Sequence, residues 1–258
     1  MAAHPCAAGT SDLIRGSLTD SKGFSADPAY SPDGFTVAFA ADRGNYPAEQ
    51  GIYVALAADG SSLQRVTTVP ATASQDLAPR FSPDGTKLIF TRYRAVKGPP
   101  LDPEVEVSAV YVVNVDGSGL QQLAGFNVGA RGAGEADWSP DGTRIIFETN
   151  AAVDENGNIL DAADIYVVNA DGSGLTNLTR NQVILGAKTF RIEGSSDPVW
   201  SPDGTKILFL DERFAGEAGF PPSEVQRDLA TMNPDGSARA FLAPLPLGQE
   251  QPDWESIP

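Results

Sequence analysis

Apolar residues in this chain come in short, dense runs: Val37 to Ala41, Leu88 to Phe90, Ile145 to Phe147 and Ile207 to Leu210. Each run follows a tetrapeptide Ser-Pro-Asp-Gly, beginning at Ser31, Ser82, Ser139 and Ser201. No stretch shows the i, i+3, i+4 spacing of an amphipathic helix, so the pattern predicts strands throughout. The runs are apolar at successive positions, as expected of strands buried on both faces. Pro presets the φ of the second turn position, Ser and Asp cap the turn, and Gly takes the positive φ.

The four tetrapeptides lie 51, 57 and 62 residues apart, and each belongs to a unit with the same parts. A short strand ends in an aromatic: DPAY, LAPRF, GEADW or SDPVW. The turn and the apolar strand follow. Next comes a strand such as IYVVN, Ile165 to Asn169, ending in a DGSG-type hairpin turn at Asp116-Gly117, Asp171-Gly172 or Asp235-Gly236. A short last strand closes the unit, such as LQQL at Leu120 to Leu123. Four antiparallel strands per unit, repeated with both faces apolar, predict an all-β propeller of four four-stranded repeats. A blade cannot bury its faces alone, which is why the same phrase recurs. The expected organisation is a tail over 1–26, a propeller over 27–250 and a spare strand over 251–258. Closure would give four or five blades.

The pattern W-S-P-D-G-T-K-I-x-F followed by I-Y-V-x-N-x-D-G-S-G resembles the TolB-type, WD-like propeller repeat of many bacterial proteins, over about residues 27–245. The resemblance implies the fold and an envelope setting, periplasmic or extracellular. It does not carry function by itself, because function is grafted onto folds. The turn differs from the Asp-box of sialidase propellers, where one more residue separates Asp from Gly, so no sialidase activity is implied.

Composition narrows the partners. The 258 residues carry a formal charge of −16, which disfavours nucleic acid and anionic membrane surfaces. Gly (26) and Pro (20) fit a chain of many turns. No apolar run is long enough to span a membrane as a helix, so no membrane insertion is expected. The single cysteine, Cys6, rules out an internal disulfide. The N-terminal segment lacks the basic start and apolar stretch of a secretory signal, leaving a cytoplasmic location or a missing export signal as alternatives.

Both ends hold strand-like pieces. LIRGSLTD at 13–20 matches a last strand, with Leu13, Ile14 and Leu18 apolar, and QPDW at 251–254 matches an opening strand with Trp254 in register with Trp200. Either the two ends pair and close the ring, or one of them pairs with a neighbouring molecule, since a free strand edge is a template for another chain.

The turns at one end of the units are short and constant, apart from one extra residue near Ala57. The connections at the other end, 92–108, 149–164 and 211–228, are long and varied, and they are read as loops where a partner would bind. Within the second, Asp154, Asn156, Asn158 and Asp161 flank Gly157, an oxygen-rich set of the kind calcium takes. It lacks the final glutamate of an EF-hand loop, with Ile165 there instead, and the plainer reading is an Asn-Gly hairpin tip. The aromatics Tyr30, Phe81, Trp138, Trp200 and Trp254 recur at the same place in the repeat, and Tyr53, Tyr111 and Tyr166 recur in the third strand of three units, with Ala230 in the fourth; both sets read as packing. The only histidine, His4, sits in the tail near Cys6, which is no preorganised nucleophile–base pair. Acidic pairs such as Asp102 and Glu104 abound without one standing out for acid–base work. The expectation is a non-catalytic scaffold that binds a protein partner or other copies of itself, with no certain cofactor. The alternative is a self-assembling, fibre-forming protein whose subunits exchange a terminal strand.

Overall fold

A computed structural model describes residues 24–42, 48–98, 101–125, 132–149, 163–181, 183–185, 189–217 and 224–242. These residues form strands and turns and contain no helix. The first sheet holds β1 (Ser25–Tyr30), β2 (Thr36–Ala41), β3 (Gly51–Leu56) and β4 (Gln64–Arg65). The second holds β5 (Gln75–Phe81), β6 (Lys87–Gly98), β7 (Leu101–Asn114) and β8 (Gln121–Gly125). The third holds β9 (Ala133–Trp138), β10 (Arg144–Thr149), β11 (Asp164–Asn169) and β12 (Thr176–Asn177). The fourth holds β13 (Val183–Leu185), β14 (Thr189–Trp200), β15 (Ile207–Glu217), β16 (Glu224–Met232) and β17 (Ala240–Phe241). Every sheet is an antiparallel meander in chain order, as the repeat predicts, and the fourth gains β13 outside its opening strand.

The turns form as their residues dictate. In each Ser-Pro-Asp-Gly turn the serine hydroxyl donates to the aspartate at 2.6–2.7 Å, as in Ser82 Oγ to Asp84 Oδ1. The glycine has φ near 70°, which costs it nothing and would strain any other residue. The hairpin turns do the same with Ser118, Ser173 and Ser237, whose backbone N–H groups donate to Asp116, Asp171 and Asp235.

Sheets pack face to face in chain order, first on second, second on third and third on fourth. Each joint buries the following side of one sheet against the preceding side of the next. Ala38, Ala40, Ile52 and Val54 meet Leu88, Phe90 and Val113. Ile89, Val110 and Val112 meet Trp138, Ile145, Phe147 and Val168. Ile146, Ile165 and Val167 meet Trp200, Ile207, Phe209 and Met232. The doubly apolar second strand is thus explained, because β6 and β10 serve a joint on either face. The tyrosines stack on the adjacent strand: Tyr53 on Phe39, Tyr111 on Phe90 and Tyr166 on Phe147, with ring centroids 5.6–6.1 Å apart. Phe81, Trp138 and Trp200 sit in the joints, so the aromatic ladder is packing. Tyr30 differs: it is 47% exposed. Trp254 lies outside the described residues.

One expectation is corrected. Residues 92–108 and 211–228 read as loops, yet much of both is paired strand. β6 and β7 remain in register from Lys87↔Asn114 to Val96↔Val105, and β15 and β16 from Ile207↔Met232 to Ala215↔Glu224. In the backbone, ladder hydrogen bonds outweigh the Pro, Gly and charged residues that suggested loops.

Candidate functional site

The opening strands of neighbouring sheets approach one another, β1 with β5, β5 with β9 and β9 with β14, so they form the inner edge. Each carries a bulge, and at each bulge a non-glycine residue has positive φ: Asp27 (53°), Ala78 (52°), Glu135 (44°) and Asp197 (51°). Such backbone is uncommon and re-aims the side chains around it. All four lie three residues before the aromatic of their strand, so the repeat places them at one level.

Backbone N–H groups at these bulges reach across to carboxylates of the preceding sheet. Ala78 N–H donates to Asp27 Oδ2 at 3.1 Å, and Asp197 N–H donates to Glu148 Oε2 at 2.8 Å. Just beyond, Trp200 N–H donates to Asp137 Oδ2 at 3.0 Å, and Trp138 Nε1–H donates to the Arg80 carbonyl at 3.3 Å. Between the second, third and fourth sheets a cavity of about 120 Å³ is lined by Arg80, Glu135, Asp137 and Asp197, with Ala136, Pro198 and Val199. That volume suits a few water molecules.

The charges here are unbalanced. Burial pushes the Glu148 carboxyl up from 4.5 to about 7; the Asp197 N–H bond opposes this, while Asp197, Glu135 and Glu212 add to it. Loss of solvent also raises the Glu135 carboxyl, followed by repulsion from Asp197, with Arg80 pulling the other way and Asp27 adding. A carboxyl poised near neutrality can hold or release a proton at working pH, and such groups mark functional-site candidates.

Beyond the bulges, buried polar groups tie strands and sheets together. Arg92 grips Asp76 through Nε–Oδ1 at 2.6 Å and Nη2–Oδ2 at 2.7 Å, while Thr67 Oγ1 donates to Asp76 Oδ2. Asp164 Oδ1 accepts from Thr179 Oγ1 and Asn181 N–H. These groups are satisfied and structural.

The proposed calcium ligands Asp154, Asn156, Asn158 and Asp161 lie outside the described residues, as do the terminal-strand residues Leu13, Ile14, Leu18 and Trp254. Among the described residues no group of three or more His, Cys, Asp and Glu side chains is placed to hold a metal ion. The structure brings together Glu135, Glu148, Asp197 and Arg80, none of which was singled out from sequence. The available signal was the acid three residues before the aromatic in three of the four units: Asp27, Glu135 and Asp197.

Four meander sheets stacked in chain order around their opening strands define a β-propeller. No protein-family model matches the chain. A TolB homologue of Chlorobium luteolum is 30% identical over 187 residues, covering 72% of this chain and 34% of that protein. A peptidase of Bacillus subtilis described as uncharacterised, YuxL, is 26% identical over 206 residues, covering 71% of this chain and 29% of that protein. The chain therefore spans about a third of the length of these curated relatives. Among solved structures, the β-propeller domain of the Trilobed protease from Pyrococcus furiosus is 14% identical, with a TM-score of 0.42 over 86% of this chain and 71% of that one. The chain is a TolB-type β-propeller repeat protein.

Proposed function

We propose that the protein is a non-catalytic propeller scaffold that binds other proteins in the bacterial envelope or outside the cell. One observation carries the reading: the second and fourth sheets extend, at the end away from the Ser-Pro-Asp-Gly turns, beyond the six-residue strands of the first and third. β6 and β7 have 12 and 14 residues, and β14, β15 and β16 have 12, 11 and 9. β5 pairs with β6 only as far as Tyr93, and β8 with β7 only between Ala109 and Val112. The ribbon made by 95–98 and 101–106 is therefore paired within itself, and among the described residues no further strand pairs along its edges. Free edges recruit extended segments of other proteins by strand addition. The envelope setting follows the TolB likeness.

The name of the second relative raises a peptidase as a competing reading. It finds little support in this chain, whose single histidine is His4 in the tail. The test shortens the ribbon: Arg94 and Val107 are cross-strand partners, so a two-residue Asn-Gly turn can join them. Cross-linking with envelope and secreted extracts of the source cells should capture a protein on the full chain and lose it on the shortened one, with the melting transition kept. Equal capture by both, or peptide hydrolysis by the full chain, would overturn the reading.

A further inference from the structure

We propose that the turn end of the first sheet is a docking surface for the turn end of the fourth sheet of a second copy of this chain. The proposal rests on the scaffold reading and names one partner for it.

Three joints inside the chain show what the contact needs. At each, the glycine of one turn lies against the proline of the turn before it. A Cβ on Gly85 would stand 3.7 Å from Pro32 Cδ, on Gly142 3.6 Å from Pro83 Cδ, and on Gly204 3.6 Å from Pro140 Cδ. The aromatic just before each of these turns packs on the preceding sheet: Phe81 on the first, Trp138 on the second and Trp200 on the third.

The first turn carries the same parts with no partner for them among the described residues. Nothing lies within 4 Å of a Cβ on Gly34. Tyr30 pairs with Val37, on the side of the sheet away from the second, and is 47% exposed where Trp138 and Trp200 are each 5% exposed. Phe35 is 72% exposed. It stands where the other turns have Thr86, Thr143 and Thr205, whose hydroxyls donate to the turn aspartate at 2.8–2.9 Å. A residue that served its own turn is thus replaced by an aromatic that serves none.

At the far end, Pro202 is exposed, and no turn glycine among the described residues lies against it. Lys206 occupies the repeat position that Lys87 holds in the groove between the second and third turns, which Asp84 and Asp141 also line. Among the described residues the chain therefore holds the two halves of a fourth joint, one on its first sheet and one on its fourth, while the main contacts between sheets join consecutive ones. Deeper in the same two faces, Phe39, Tyr53 and Leu208 are buried within the chain, so the contact is confined to the turn end. A small contact between unlike surfaces is weak and concentration-dependent, and it propagates into rings or filaments.

The test is molar mass by light scattering across a concentration series for the full chain, Phe35→Asp and Pro202→Asp. The full chain should rise above 27.1 kDa with concentration, and each variant alone should stay at that mass. An equimolar mixture of the two variants should give dimers and stop there, because only one intact joint can form. A full chain that is monomeric throughout overturns the proposal. So does association that persists in both variants, which would assign it to a terminal strand or another face. Phe35 is exposed, so its substitution leaves the fold intact; if Pro202→Asp loses its melting transition, Phe35→Asp against the full chain still decides. Shortening the ribbon over 95–106 touches neither end, so failure of this proposal leaves the capture experiment standing, and the reverse.

Discussion

The half-buried Glu148 carboxyl gives a quantitative prediction. It receives one hydrogen bond, from Asp197 N–H, and faces Asp197, Glu135 and Glu212. Its carboxyl titrates near 7 in the folded protein against 4.5 ordinarily. Between those values the folded state binds more protons than the unfolded state, so stability falls as pH rises through the window and the loss is complete above it. At about 1.4 kcal/mol per decade the gap is worth roughly 3 kcal/mol, and partial solvent access reduces this to about 1–2 kcal/mol. Glu148→Gln keeps an oxygen acceptor for Asp197 N–H and removes the charge. Urea unfolding at pH 8 should show the variant more stable than the parent by about 1–2 kcal/mol, with the two within a few tenths of a kcal/mol at pH 5. The difference between the two proteins cancels the titration of groups that Glu148 does not touch. A variant less stable at pH 8, or a difference that does not change with pH, would refute the account of this joint.

Arg92→Met leaves Asp76 buried without its cation and should cost about 3–5 kcal/mol in denaturant unfolding, with Asp76→Asn in the same chain recovering part of the loss. Phe209→Ala opens a void in the joint between the third and fourth sheets and should cost about 3–5 kcal/mol. Asp141 is held down to about 2 by hydrogen bonds from Ser139 and then Thr143, so its contribution is present above the ordinary carboxylate range and lost as pH falls through about 2. Asp141→Asn should lower the melting temperature at pH 6, and the deficit should close in acid. If the oxygen-rich set at 154–161 takes calcium, the ion should raise the melting temperature of the full chain and leave Asp154→Ala unmoved.

The repeat was legible because its signals are local. Ser-Pro-Asp-Gly, the Asp-Gly hairpins and the doubly apolar strands each determine a few residues of backbone, and four copies reinforce one another. The ribbons were not, since RAVKGPPLDP has no clean alternation and only EVEV at 104–107 does, so the pairing is decided by continuing a hairpin already in register. Nor was the carboxyl cluster. Glu135, Glu148 and Asp197 are spread across two units and meet only because neighbouring sheets stack with their bulges level. The raised titration of Glu148 comes from that stacking, which a linear reading of acidic residues cannot supply.

The nesting of each turn glycine on the previous turn proline has a consequence for how such a chain can change. Registration between neighbours is set at one end, by residues that hardly vary, while the spacing between units grows from 51 to 62 residues through additions at the other end. Length can therefore be gained or lost there without disturbing alignment at the hinge-like spine of turns. Whole units, too, can be duplicated or removed as modules, because each is fitted only to its immediate neighbours.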